Sequence, residues 1–256
     1  MNAPVSRIKR VRHELRRREV KVCRIEQIGS HFVSITFSGD DLVDFKSESF
    51  DDHIKFMFED AAGNLVRRDY TPRHFDPVKR ELTIEFALHG SGGACNWAKQ
   101  ATLGKEAIIG GPRGSLIIPM DYEWQLMIGD STALPAISRR LEELPAGSRV
   151  QALLLAEAES DLHEFQTAAH LDVQWFNSDE VLLATLSNLL LPTGEGFAWA
   201  AGEASLMKAV RRVLVEEKKH PKEGMRIAAY WRHGAEGFHE ELTDSDSRAP
   251  RNSENT

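Results

Sequence analysis

A change of rhythm near residue 120 constrains this 256-residue chain more than any other feature. Before it, apolar and polar residues alternate with period two in short, β-branched segments at residues 20–28, 32–37, 54–58, 65–70 and 82–87. Successive side chains of a strand point to opposite faces, so this period marks half-buried strands. Short strands at such spacing predict an antiparallel barrel. One helical piece, residues 95–101, interrupts it, and residues 107–110 and 116–118 end the section. Beyond residue 123 the pattern becomes short apolar strands at 124–128, 150–156, 171–176, 197–200 and 226–230, with helical spacing at 133–144, 180–190 and 204–218. Strand–helix alternation predicts a parallel α/β sheet. The expected architecture is an N-terminal antiparallel β-barrel over residues 20–120 and a parallel α/β domain over residues 121–238. A basic lead-in, residues 1–19, precedes them, and a disordered polar tail, residues 239–256, follows.

Composition narrows the setting. The formal charge is −7 and 41% of residues are hydrophobic, ample for a packed core. Two cysteines far apart in sequence, Cys23 and Cys95, do not make a disulfide scaffold and fit a reducing compartment. No apolar run follows the basic start, and none is long enough to span a bilayer. A cytoplasmic protein without membrane insertion, and a monomer, is expected. The lead-in carries Arg7, Lys9, Arg10, Arg12, Arg16, Arg17 and Arg18 but lacks the aromatic interleaving of single-strand binders. It reads as a solvated segment that draws in an anionic ligand, with no nucleic-acid partner. His163-Glu164 and His239-Glu240 lack metal-ligand spacing, so no bound metal is expected.

Three stretches carry chemistry. Arg68-Asp69-Tyr70-Thr71-Pro72-Arg73 ends a strand. Alternation puts Arg68 and Tyr70 on one face and turns Thr71 to the other, before Pro72 stops the ladder. An arginine fork suits a phosphate, a tyrosine face suits a flat heterocycle, and a threonine hydroxyl can meet a ring nitrogen. His89-Gly90-Ser91-Gly92-Gly93-Ala94-Cys95-Asn96-Trp97-Ala98 leads from a strand into a helix, where small residues let backbone N–H groups approach a pyrophosphate. Gly129-Asp130-Ser131-Thr132-Ala133 and Ala201-Gly202-Glu203 follow strands of the α/β half, whose carboxyl ends bind ligands. Thr132 is a helix cap with a hydroxyl for a phosphate, and Glu203 is a capping carboxylate. Tyr230-Trp231-Arg232 ends the last strand, its aromatics either plain core or the cover of a flat ring.

In their order and spacing these motifs, with Gly111-Pro-Arg-Gly-Ser115, resemble those of the siderophore-interacting proteins, cytoplasmic flavin-dependent ferric-siderophore reductases. The resemblance covers residues 20–234. It implies a ferredoxin-reductase-like fold, with FAD on the barrel and NAD(P)H on the α/β domain. Carried over by motif, Arg68, Asp69, Tyr70, Thr71 and Arg73 hold the flavin and its phosphates, with Tyr70 and Thr71 at the reacting ring. His89, Gly90, Ala94, Cys95 and Trp97 form the pyrophosphate and adenine side. Asp130, Thr132, Ala133, Gly202, Glu203 and Trp231 line the nicotinamide side. This chain has Gly92-Gly93-Ala94-Cys95 where the family has Gly-Pro-Ala-Ser, and Ser131 where it has glutamate. Electrons then pass from NAD(P)H through FAD to Fe(III) in a siderophore, with Lys55, Arg113 and Arg232 as the basic rim for an anionic chelate. Glu157 and Glu159, near the end of the second α/β strand, bear on NADH against NADPH, and the resemblance allows either. A flavoprotein reductase serving ferredoxin, flavodoxin or an oxygenase, and a non-redox siderophore carrier, are the alternatives.

Overall fold

The computed structural model describes residues 7–60, 62–88, 93–156, 164–235 and 238–243. Its first half is a seven-stranded antiparallel sheet in the order β5-β4-β8-β2-β3-β7-β6. The strands are β2 (Arg17–Ile28), β3 (Phe32–Ser38), β4 (Ile54–Glu59), β5 (Leu65–Tyr70), β6 (His74–Asp76), β7 (Glu81–Ala87) and β8 (Glu106–Gly110). Their period-two faces close on one core of Val20, Val22, Phe37, Phe56, Leu82, Phe86 and Ile109. The short helix α1 (Gly93–Lys99) packs Trp97 into that core beside Phe37, Phe56 and Phe86. β1 (Lys9–Arg12) pairs separately with β9 (Gly114–Ile117).

The second half is a six-stranded sheet ordered β12-β11-β10-β13-β14-β15. It comprises β10 (Trp124–Gly129), β11 (Arg149–Leu155), β12 (His170–Phe176), β13 (Gly196–Glu203), β14 (Met225–Trp231) and β15 (Glu240–Glu241). All pairings are parallel except β14 with β15. β10 is buried at every position, as a strand covered on both faces must be. Helices α2 (Leu134–Glu143), α3 (Asp179–Asn188) and α4 (Ala204–Arg212) connect the strands. The chain winds outward in both directions from β10, so its carboxyl end at Gly129 is a topological switch point, where open α/β sheets bind ligands. No helix among the described residues is long and apolar enough to cross a membrane.

The described parts of both flanking segments depart from expectation. Residues 7–19 of the lead-in are built into the fold, although Lys9, Arg10, Arg12, Arg16 and Arg17 stay exposed. Lys9–Arg12 forms a strand, Arg7 reaches Asp121 and Glu195, and Arg18 is buried on Asp44 and the Gly111 carbonyl. Several of its cations have partners that no local pattern reveals. The expected tail begins with β15, which adds an antiparallel edge to β14 and buries Leu242.

The two halves are fastened together. Phe32 and Phe50 of the first share an apolar cluster with Leu134, Ile137 and Trp199 of the second. Asp51 accepts from Trp199 Nε1 and from Arg226 Nε, each at 2.8 Å. Arg139 of α2 donates to the Ser47 and Pro72 carbonyls at 2.9 Å each. Burying Phe32, Phe50 and Trp199 contributes roughly 2 kcal/mol apiece, so the seam has fixed walls.

Candidate active site at the domain seam

A cavity of about 330 Å³ opens along that seam. The barrel supplies Arg67, Arg68, Asp69, Tyr70, Thr71, Ala94 and Cys95; the α/β half supplies Ser131, Thr132, Pro135, Tyr230 and Trp231. β5 is the edge strand of its sheet, and it ends at Tyr70. The chain leaves the ladder there, so strict alternation lapses and Thr71 lines the same cavity as Tyr70 rather than turning away. Tyr70 is held edge-on by Phe56 (5.8 Å, 88°) and tilted on Phe86 at 4.5 Å. Burial pushes its phenol well above the usual range, so it stays protonated. The Tyr230 hydroxyl is buried with no hydrogen-bond partner among the described residues, and burial raises its phenol as well.

Asp130 organises the opposite wall. Its Oδ1 accepts from the Thr132 N–H at 2.9 Å and the Thr132 hydroxyl at 2.5 Å, so Asp130 caps this turn and Thr132, expected as the cap, is the capped residue instead. Its Oδ2 accepts from the Glu203 N–H at 2.9 Å and from Trp231 Nε1 at 2.8 Å. One buried carboxylate therefore ties the ends of β10, β13 and β14. Gly202 makes this possible: a Cβ there would stand 2.6 Å from Asp130 Oδ2. Glu203 caps α4 by accepting from the Ser205 and Leu206 N–H groups, as read from sequence.

A second cleft, about 890 Å³, shares a wall with the first. Lys55, Arg67, Asp69 and His53 line both. The rest of its lining includes Arg10 and Arg12 of β1, Arg17 of β2, and Arg113. Asp69 holds Lys55 at 2.7 Å.

The sequence-assigned residues divide accordingly. Arg68, Asp69, Tyr70, Thr71, Ala94, Cys95, Thr132 and Trp231 meet at the cavity. Lys55 and Arg113 meet in the cleft. Arg73 lies off the cavity, because Glu85 takes its Nε at 3.1 Å and Glu142 of α2 takes both terminal nitrogens. Trp97 faces the barrel core, since its helix turns the indole inward. Ala133 is fully buried in the α/β core, and Asp130, Gly202 and Glu203 shape the wall without lining it. Arg232 lies over the Phe238 ring at 4.3 Å, outside both linings. His89, Gly90, Glu157 and Glu159 lie outside the described residues. Sequence reasoning missed His53, weighed His239 only as a metal ligand, and read the β1 arginines as part of a solvated segment that draws in an anionic ligand.

The donor set fits a flavin dinucleotide. Guanidinium groups at Arg67 and Arg68 suit its phosphates, aromatic faces at Tyr70 and Trp231 suit its rings, and the Thr71 hydroxyl suits a ring nitrogen or oxygen, whereas the Thr132 hydroxyl is spent on Asp130. Comparison with known proteins agrees. The family profile described as siderophore-interacting protein matches residues 122–234, and that of the siderophore-interacting FAD-binding domain matches residues 21–66 and 59–116. The chain is 35% identical to an NADPH-dependent ferric-chelate reductase of Escherichia coli K12, over 87% of this chain and 95% of that one. It is 28% identical to the ferric vibriobactin reductase ViuB of Vibrio cholerae, over 85% and 91%. A siderophore utilization protein from T. fusca superposes with a TM-score of 0.85 at 29% identity, covering 90% of this chain and 98% of that one. The profile matches in both halves and the 35% identical relative place this chain in the siderophore-interacting protein family.

Proposed function

We propose that this chain reduces ferric iron held by a siderophore, taking electrons from NAD(P)H through FAD and releasing ferrous iron. The observation that carries the reading is the shared wall. A cavity suited to a flavin and a cleft rich in arginine lie back to back, separated by Lys55, Arg67 and Asp69 with His53. Bound there, FAD supplies the exchange between a two-electron donor and a one-electron acceptor.

The protein's part is binding, orientation and charge. With FAD bound, Tyr70 and Trp231 would hold its flat ring, the Thr71 hydroxyl would supply a hydrogen bond, and Arg67 and Arg68 would neutralise phosphate. Ser131 and Thr132, at the carboxyl end of β10, position the nicotinamide nucleotide. Lys55, Arg10, Arg12, Arg17 and Arg113 receive the ferric chelate. Hard Fe(III) prefers oxygen donors, which makes many of its chelates anionic, and such a cleft raises their encounter rate roughly tenfold or more, less so in salt. Softer Fe(II) is held less tightly by the same oxygens, so reduction releases it.

The test is anaerobic. NAD(P)H added to the FAD-loaded protein bleaches the flavin, and a ferric siderophore then restores its colour while a ferrous trap develops. A protein that binds no FAD is a carrier instead. One that bleaches but passes electrons only to a ferredoxin or flavodoxin serves another acceptor.

A further inference from the structure

His53 stands where donor and acceptor sides meet, lining the seam cavity and the arginine cleft alike. Its Nε2 is closed off from solvent and has no hydrogen-bond partner among the described residues. The ring meets Tyr230 edge-on at 5.0 Å and His239 at 4.8 Å, while His239 stacks on Tyr230 at 5.5 Å. We propose that His53 is a redox-linked proton site, taking up one proton when the cofactor in the seam cavity is reduced and releasing it when ferric iron in the cleft is reduced. The proposal rests on the FAD-dependent function given above.

The charges around His53 are already matched. Asp51 is taken by Trp199 and Arg226, and Asp69 by Lys55. Asp51 and Asp69 favour a charged imidazole, whereas Arg226 and His239 oppose it, and Lys55 opposes charge on His239. Burial outweighs these and holds the His53 pKa down to about 4, so the resting ring is neutral. Hydride transfer leaves the flavin with one negative charge. A unit negative charge in the adjoining cavity raises its proton affinity, on the order of a thousandfold for a charge about 4 Å away at an effective dielectric of 20. The steps balance. NAD(P)H, FAD, neutral His53 and one solvent proton give NAD(P)⁺, singly anionic reduced FAD and cationic His53. Two Fe(III) then take two electrons, giving two Fe(II), FAD and neutral His53, and two protons leave: one from the flavin and one from His53.

The experiment is redox potentiometry of the FAD-loaded protein from pH 5 to 9, with no iron present. Each proton taken up with two electrons contributes about 30 mV per pH unit. Over the range in which the reduced flavin stays singly anionic, wild type should fall by about 60 mV per unit on the acid side and about 30 on the alkaline side, and His53→Gln by about 30 throughout. His239→Gln should keep the steep arm and carry it to higher pH, having lost a neighbour that opposes His53 protonation. Equal slopes in wild type and His53→Gln overturn the proposal, as does a steep arm lost only in His239→Gln. A measurement on wild type alone covers a His53→Gln that does not fold. Reduced-minus-oxidised infrared spectra with isotope-labelled histidine should show imidazolium bands, and their absence refutes it. Failure of wild type to bind FAD would instead sink the proposed function itself.

Discussion

Gly202→Ala tests whether the Asp130 knot stabilises the joined ends of β10, β13 and β14. The new Cβ would stand 2.6 Å from Asp130 Oδ2 and 2.9 Å from its Cγ, closer than such atoms pack, so the carboxylate must move. Oδ2 is the acceptor for both the Glu203 N–H and Trp231 Nε1. A hydrogen bond to a charged acceptor is worth about 1.5–3 kcal/mol, and alanine at φ +154 adds backbone strain of about 1–3 kcal/mol. Allowing for partial relaxation, the loss is about 4 kcal/mol, a large part of the 5–15 kcal/mol typical of a folded domain. Gly63→Ala is the control. It also has positive φ, +79, but nothing lies within 4 Å of its Cβ, so only strain applies, about 1–2 kcal/mol. Urea unfolding followed by tryptophan fluorescence gives both values. If the two variants lose the same stability within about 1 kcal/mol, the close approach to Asp130 has no energetic consequence and the reasoning fails.

Arg73→Ala should leave FAD affinity within about threefold and cost about 2 kcal/mol through its charge-assisted bonds to Glu85 and Glu142; a tenfold loss of FAD binding in a titration would show that it serves phosphate after all. Arg113→Glu should raise KM for an anionic ferric chelate about tenfold or more and steepen no other step, whereas Arg232→Glu, on Phe238, should change it little; equal effects would undo the assignment of the cleft. Acid should destabilise the fold between pH 6.5 and 4. Unfolded histidine takes its proton near 6.5, whereas buried His53 resists until about 4, so the unfolded chain binds more protons across that window and stability drains away as pH falls. His53 accounts for roughly 3 kcal/mol; His220 and His239, also lowered by burial, add to it, and Asp52, raised by burial, opposes it. Denaturant melts at pH 7 and 4.5 read this directly, and equal stability at the two would contradict it.

Much of the fold was legible because its signals are local. The period-two run at residues 65–70 is β5 to the residue, and Pro72 follows where the ladder stops. β10, apolar but for Gln125, and the strand–helix alternation after it announced a covered parallel sheet. The small pieces were not legible. β15 has two residues, and β1 is a strand only because β9 lies beside it. Of the site, Tyr70 and Thr132 could be read because side-chain type and strand end together limit what they face. Arg73 could not: a guanidinium suits a phosphate and a carboxylate equally, and only the docking of α2 brings Glu142 to it.

The sequence by itself determined the kinds of element, their order and the chemistry available at each strand end, since periodicity, proline, glycine and capping side chains act within a few residues. Tertiary structure alone decided which of those groups meet. Asp51 holds Trp199 across 148 positions and Arg226 across 175, and the same docking sets His53 between the seam cavity and the arginine cleft. Contacts of that kind depend on how two separately wound sheets pack face to face, and nothing in the neighbourhood of either residue along the chain carries that information.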